Sequence, residues 1–270
     1  MRIGFIQYDV RFGDPDWNRG RTADMIAAAE ADMIVLPELC TSGYLFTSQE
    51  EAEELAEPIP GGPTIELWVQ VAQRRNVCIV AGIAEKNAGK LYNSAVLVTP
   101  SGSVESYRKT HLFHEEKLWF EPGDSGLNVF DVGETRVGIM VCFDWIFPES
   151  CRTLALKGAD IICHPANLVL PYCQDAMVTR CIENRVFAVT ANRTGIERRG
   201  GKHHTFTGRS RIIDPFGRIL AEGADREDST EVVEIDPADA RDKSLGEYND
   251  LLSDRRPRLY ELSESAAPTE

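Results

Sequence analysis

The stretch that most restricts what this chain can fold into is residues 136–149. Val137, Ile139 and Val141 alternate with Gly138, Met140 and Cys142, which predicts a largely buried strand. The strand stops at Phe143, Asp144 and Trp145, and Pro148 then stands where a helix can begin, with residues 149–157 following. A cysteine on the turn from strand to helix can face a substrate while its neighbours stay packed. Backbone N–H groups in such a turn can point at a developing negative charge. The competing reading is that Cys142 is core, because free cysteine is among the most buried residue types.

The same alternation runs through the chain. Strands are predicted at residues 2–8, 32–36, 77–83, 91–98, 103–107, 159–164, 185–192 and 231–235, and helices at 16–30, 64–75 and 174–184. The acidic run 49–57 predicts a surface helix. Pro-x-Gly turns at Pro100–Gly102 and Pro215–Gly217 each join two strand-like runs. Many strands mixed with helices, with no linker between them, predict one α/β (α+β) domain over residues 1–262, a layered sandwich with helices outside two sheets. The Ser/Ala/Pro/Glu-rich residues 263–270 are expected to be a poorly ordered tail.

Charge and cysteine usage exclude whole classes of function. A formal charge of −14 argues against a nucleic-acid partner, which needs a concentrated basic face. The one local exception, the basic run 197–204, reads as a solvated loop. No apolar run approaches the ~20 residues of a membrane span, and the first ten residues read as a strand rather than a secretory signal. Seven scattered cysteines with no C-x-x-C pair make neither a disulfide framework nor a zinc ribbon. A cytoplasmic protein is expected.

Three ionisable residues fall at predicted strand ends: Glu38, Lys109 and Cys142. In a sheet-based fold such positions can converge on one cleft, although each also has a plain reading as loop carboxylate, surface ammonium or core thiol. The histidines offer other constellations. His111 and His114, beside Glu115 and Glu116, allow a metal-dependent hydrolase, though no recognised zinc motif matches. Cys142 with His111 or His164 allows a papain-like pair.

Three segments, in order, carry a resemblance. Residues 36–44 contain Glu38, residues 107–113 contain Lys109, and residues 141–149 contain Cys142. Together they resemble the general-base, lysine and nucleophile segments of the nitrilase superfamily of carbon–nitrogen hydrolases. Residues 91–94, 120–124, 180–184 and 208–215 are also similar to that family, and the likeness runs from Arg2 to about Tyr260. It implies a four-layer α-β-β-α sandwich that pairs into a homodimer. It also implies Glu38 as base, Lys109 with the backbone N–H of Phe143 at the oxyanion, Cys142 as nucleophile, and Glu116 as a second glutamate beside the lysine, with no metal or organic cofactor.

The substrate implied is a small amide, an N-carbamoyl amine or a nitrile. True nitrilases commonly follow the nucleophile with Trp-Glu, whereas Phe143-Asp144 stands here, which favours an amidase or carbamoylase. Tyr44, Trp119, Trp145, Asn167 and Tyr172 are candidate pocket walls, against the alternative that the aromatics are ordinary core. For the dimer, the helices 148–157 and 174–184 are expected to pair through Leu154, Ala155, Leu156, Ala176, Met177, Val178 and Ile182.

Overall fold

A computed structural model describes residues 1–260. The expected tail at 263–270 lies outside them. The first half runs β1 (Arg2–Gln7), α1 (Pro15–Ala28), β2 (Met33–Val35), α2 (Gln49–Leu55), α3 (Pro63–Arg75), β3 (Cys78–Asn87), β4 (Lys90–Val98), β5 (Val104–Arg108) and a single turn α4 (Glu116–Trp119). Next come β6 (Val129–Val132), β7 (Thr135–Ile139), α5 (Pro148–Leu156), β8 (Ile161–Pro165), α6 (Cys173–Asn184) and β9 (Phe187–Ala191). A hairpin of β10 (Ile196–Arg199) and β11 (Lys202–Thr205) precedes β12 (Arg211–Ile213), β13 (Ile219–Glu222) and β14 (Ser229–Glu234).

Two six-stranded sheets result, ordered β14-β1-β2-β3-β4-β5 and β13-β12-β9-β8-β7-β6. In each, parallel central strands are flanked by antiparallel edges. Side-chain alternation sorts the first sheet into two faces. Ile3, Phe5, Met33, Val35, Val80 and Leu97 join Val137, Ile139, Ile161, Cys163 and Val189 of the second sheet in one core, and Cys163 Sγ meets Met33 Sδ across it at 3.6 Å. Ile6, Ile34, Ile79, Ala81 and Val96 point the other way, onto Ile26 of α1 and Ile65, Trp68 and Val71 of α3. The second sheet is backed by Leu154 and Ala155 of α5 and by Met177 and Cys181 of α6. Burial on both faces explains why the parallel strands read as unbroken apolar runs. The order of layers is therefore helix, sheet, sheet, helix.

Three expectations need correction. The basic run 197–204 reaches solvent as expected, but as the β10–β11 hairpin rather than a loop, and Glu197 within it is buried. The nucleophile strand ends at Ile139, two residues earlier than its apolar pattern indicates. Leu154, Ala155 and Met177 do not face outward: they are buried within the chain, Leu154 directly over Gly138, and only Leu156 and Ile182 remain exposed on these helices among the large apolar residues named for the dimer.

Candidate active site

Glu38 leaves β2 through Pro37 and is held against β3. Cys40 N donates to Gly82 O at 3.0 Å, and Gly82 N donates to Pro37 O at 3.0 Å. A Cβ on Gly82 would lie 2.8 Å from Leu39 N and closer still to Glu38 Cα, so only glycine admits this approach. Lys109 follows β5, its N–H continuing the ladder to Asn93 O of β4 at 2.8 Å. Gly123 packs on the same backbone, donating to Lys109 O at 2.9 Å, where a Cβ would collide with Arg108 O. Glu116 opens α4. These constraints bring three charged side chains from three elements into the interior, Glu38 and Lys109 with no exposed surface at all.

Lys109 Nζ donates to Glu38 Oε1 at 2.6 Å and to both oxygens of Glu116 at 2.8 Å. Asn93 Nδ2 also donates to Glu38 Oε1, at 2.7 Å, and Tyr44 Oη donates to Glu116 Oε1 at 2.7 Å. Glu38 Oε1 is thus doubly engaged, while its Oε2, equally buried, has no partner among the described residues. Burial pulls the Lys109 pKa down, but Glu116, Glu38 and Cys142 together outweigh it, and the ammonium is held well above its ordinary range. Burial pushes the Glu116 carboxyl up, against the pull of Lys109.

Cys142 begins a 3-10 turn, Cys142–Ile146, with φ of +40°, a left-handed conformation that costs a non-glycine residue roughly 1–3 kcal/mol. Two devices hold it there. Asp144 Oδ2 accepts from Val141 N and from Tyr107 Oη of β5, each at 2.8 Å, and its Oδ1 accepts from His111 N at 3.1 Å and meets His111 Nδ1 at 2.8 Å. His164 on β8 places Nε2 2.9 Å from Cys142 O and Nδ1 3.1 Å from Thr190 Oγ1. A carbonyl only accepts, so Nε2 carries the proton and Nδ1 accepts from the hydroxyl; burial lowers the pKa of this imidazole, favouring the neutral form. The thiol itself is pushed well above its ordinary range by burial and by Glu38, against the pull of Lys109, and Sγ lies 3.9 Å from Asn167 O. These surroundings favour the neutral thiol over the thiolate. Phe143 N–H donates to no atom among the described residues.

Neither papain-like pair forms. His164 holds the carbonyl of Cys142 and not its sulfur, and His111 is engaged by Asp144 and stacked on Phe147 at 3.8 Å. The proposed His111/His114 metal site also does not assemble, since His114 lines a different cavity, and among the described residues no group of three His, Cys, Asp or Glu is arranged to hold an ion.

A cavity of about 150 Å³ opens over Cys142, lined by Phe113, Phe143, Trp145, Ile146, Asn167, Leu168, Val169, Leu170 and Tyr172. Trp145, Asn167 and Tyr172 therefore do line it. Tyr44 and Trp119 do not; they border a much smaller neighbouring cavity with Phe113, Glu116 and His204, and Tyr44 reaches the charged cluster through Glu116. Asn93, Asp144 and His164 are the positioning residues that the reading by strand ends left unassigned. The signal for Asn93 and His164 was in the sequence, each a polar side chain inside a strand of largely apolar neighbours; Asp144, in the 3-10 turn, carried no such mark.

The chain matches the Carbon-nitrogen hydrolase family over residues 2–243. It is 47% identical over 263 residues to a protein named nitrilase from Pyrococcus abyssi, covering 96% of this chain and 99% of that one. It is 39% identical over 264 residues to an (R)-stereoselective amidase from Pseudomonas sp., covering 96% and 93% of the two chains. Among solved structures, a mutant of the amidase from Nesterenkonia sp. AN1, with acrylamide joined by Michael addition to its active-site cysteine, superposes with a TM-score of 0.79 at 27% identity, over 96% of this chain and 98% of that one. A match along nearly the whole chain, on a fold that buries Glu38, Lys109 and Glu116 as one cluster beside Cys142, leaves one assignment: this chain belongs to the carbon–nitrogen hydrolases of the nitrilase superfamily.

Proposed function

We propose that the protein is a cytoplasmic amidase that releases ammonia and a carboxylic acid from a small amide through a thioester on Cys142. The observation that carries the reading is the free Oε2 of Glu38: its partner oxygen is saturated by Lys109 and Asn93, so one lone-pair face remains for the thiol proton. Cys142 Sγ attacks the amide carbonyl while Glu38 takes the proton. The oxyanion forms against the Lys109 ammonium and the undonated N–H of Phe143. Glu38 returns the proton to the departing nitrogen, the C–N bond breaks, and the thioester remains. Water, deprotonated by Glu38 and oriented by Glu116, then adds to the thioester, releasing the acid and the thiol.

Ammonia release across amides, N-carbamoyl amines and nitriles, with acid-quenched mass spectrometry of the protein, tests the reading. The expected result is fastest release from amides and an acyl adduct on Cys142. Turnover without any Cys142 adduct would overturn it. Nitrile hydrolysis is the second reading, favoured by the 47% identity to a nitrilase. The same reading carries a homodimer through the outer faces of α5 and α6, where Leu156 and Ile182 are exposed; light scattering should give about 60 kDa, twice the 30.1 kDa chain.

A further inference from the structure

Away from the Glu38–Lys109–Glu116 cluster that meets the scissile group, the lining of the Cys142 cavity has no charged side chain among the described residues, yet it contains a buried polar group without a partner. Phe113, Trp145, Leu168, Val169 and Tyr172 present carbon surface, and Asn167 stands among them, 2% exposed. Neither its Nδ2 nor its Oδ1 meets a hydrogen-bond partner among the described residues, whereas its backbone is fixed beside Cys142. Native buried amides are paired in the great majority, and an unpaired one costs free energy unless a ligand completes it. A carboxamide supplies one donor face and one acceptor face, which suits a hydroxyl or a second amide, both uncharged. At about 150 Å³ the cavity is near the size that encloses a benzene-sized guest, well below a drug-sized pocket.

We propose that this cavity takes short, uncharged acyl groups carrying one hydroxyl or carboxamide substituent, and that the Asn167 side chain reads that substituent. The assignment rests on the amidase reading and names its substrate class. An ammonium or carboxylate on the acyl chain would enter a wall with no counter-charge, so such substrates are disfavoured by desolvation. A plain alkyl chain fits the wall and forgoes one neutral hydrogen bond to Asn167, which is a smaller loss than burying a charge.

The test compares butyramide, 3-hydroxybutyramide, 4-aminobutyramide and succinamate, with the same acyl groups also offered as nitriles. Expected for wild type is a kcat/KM at least about 100-fold higher for the uncharged pair than for the charged pair. Within the uncharged pair the hydroxylated substrate should lead by about 10-fold. Asn167→Leu should bring that last ratio to one or below. A charged substrate turned over as well as butyramide overturns the proposal. So does a hydroxyl preference that survives Asn167→Leu, which would place the side chain on the scissile amide instead. Should Asn167→Leu fail to fold, the wild-type ratios decide alone. Hydrolysis of the nitriles only, with the same ranking of acyl groups, would end the amidase reading and uphold the pocket; no turnover of any compound would end both.

Discussion

Two clusters of opposite charge are buried in this molecule, and they differ in what is left over. The first is Glu38, Lys109 and Glu116. The second is Arg193 and Glu197, in which Arg193 has no exposed surface. Every side-chain nitrogen of Arg193 finds an acceptor: Glu197 carboxylate, Asp9 Oδ1 at 3.1 Å, Val10 O at 2.7 Å and Thr194 O at 3.2 Å, with Phe206 under the guanidinium at 4.1 Å. Glu197 in turn accepts from Tyr44 N at 3.2 Å and Leu45 N at 2.6 Å. Among the described residues, Glu38 Oε2 of the first cluster and Asn93 Oδ1 beside it are buried and unpaired, and Asn167 next to Cys142 is unpaired at both atoms. A saturated network rigidifies; an incomplete one waits for reacting atoms. On the proposed function, the comparison separates charge that holds the fold from charge that does chemistry, and it can be broken by substitution.

The largest expected effect is at the sulfur. Cys142→Ala should lower kcat by roughly 10⁵-fold or more, as loss of a nucleophile does, with the melting temperature nearly unchanged or raised because the strained turn is retained or relaxed. Measurable ammonia release near the wild-type rate would remove Cys142 from the mechanism. Substituting Cys40, Cys78, Cys151, Cys163, Cys173 or Cys181, all buried free thiols, should leave the chemistry in place.

Glu38→Gln comes next, at about 10³–10⁴-fold in kcat, since the orphan oxygen is exchanged for a group with no basicity at neutral pH. Lys109→Ala should cost about 10²–10³-fold through the oxyanion alone. It also strands two buried carboxylates, so unlike Glu38→Gln it should lower the melting temperature clearly. A fully active Lys109→Ala enzyme would be inconsistent with the arrangement.

The resting protonation state gives a pH test of smaller amplitude. The Cys142 thiol lies above its ordinary value, so its thiolate fraction keeps growing as pH rises through and beyond about 9. Iodoacetamide labelling of Cys142, read by mass spectrometry, should climb over that whole interval. A plateau below pH 8 would mean a preformed thiolate paired with Lys109, and Glu38 would then have no proton to remove.

The strand ends of Glu38 and Cys142 were legible because they follow apolar runs of Val, Ile, Leu and Met, whereas Lys109 follows the mixed run Val104–Arg108, whose strand was marked by the Pro-x-Gly turn before it. Glu116 was reached only through family resemblance, for its short helix has too few residues to show a period. Tyr44 was legible as an aromatic near the site, but its partnership with Glu116 spans 72 positions. Glu197 was misread for the same physical reason. Arg198, Arg199, Lys202 and two histidines surround it in sequence and make the segment look solvated, while its partners Tyr44 and Leu45 lie about 150 residues upstream. Local charge predicts solvent only where no distant backbone N–H comes to collect it.

Glu197→Gln is therefore the sharpest test of the comparison, because the smallest effect on rate is expected from a residue as buried as the catalytic ones. The neutral amide keeps one acceptor for Tyr44 N or Leu45 N and leaves Arg193 with a diminished counter-charge, a loss of about 3 kcal/mol. For a chain of this size that corresponds to a fall in melting temperature on the order of 5–10 °C. Its hydrogen-bonded path to the proposed chemistry runs through Tyr44 to Glu116 and then to Lys109, and the Tyr44 hydroxyl is free to keep its bond to Glu116. The kcat measured well below the new melting point should stay within about tenfold of wild type. Calorimetry and ammonia release on Glu197→Gln and Glu38→Gln should thus give opposite patterns, one variant unstable and active, the other stable and idle. If Glu197→Gln instead lost kcat as severely as Glu38→Gln at an unchanged melting temperature, saturation of the hydrogen bonds would no longer distinguish structural from catalytic charge in this fold.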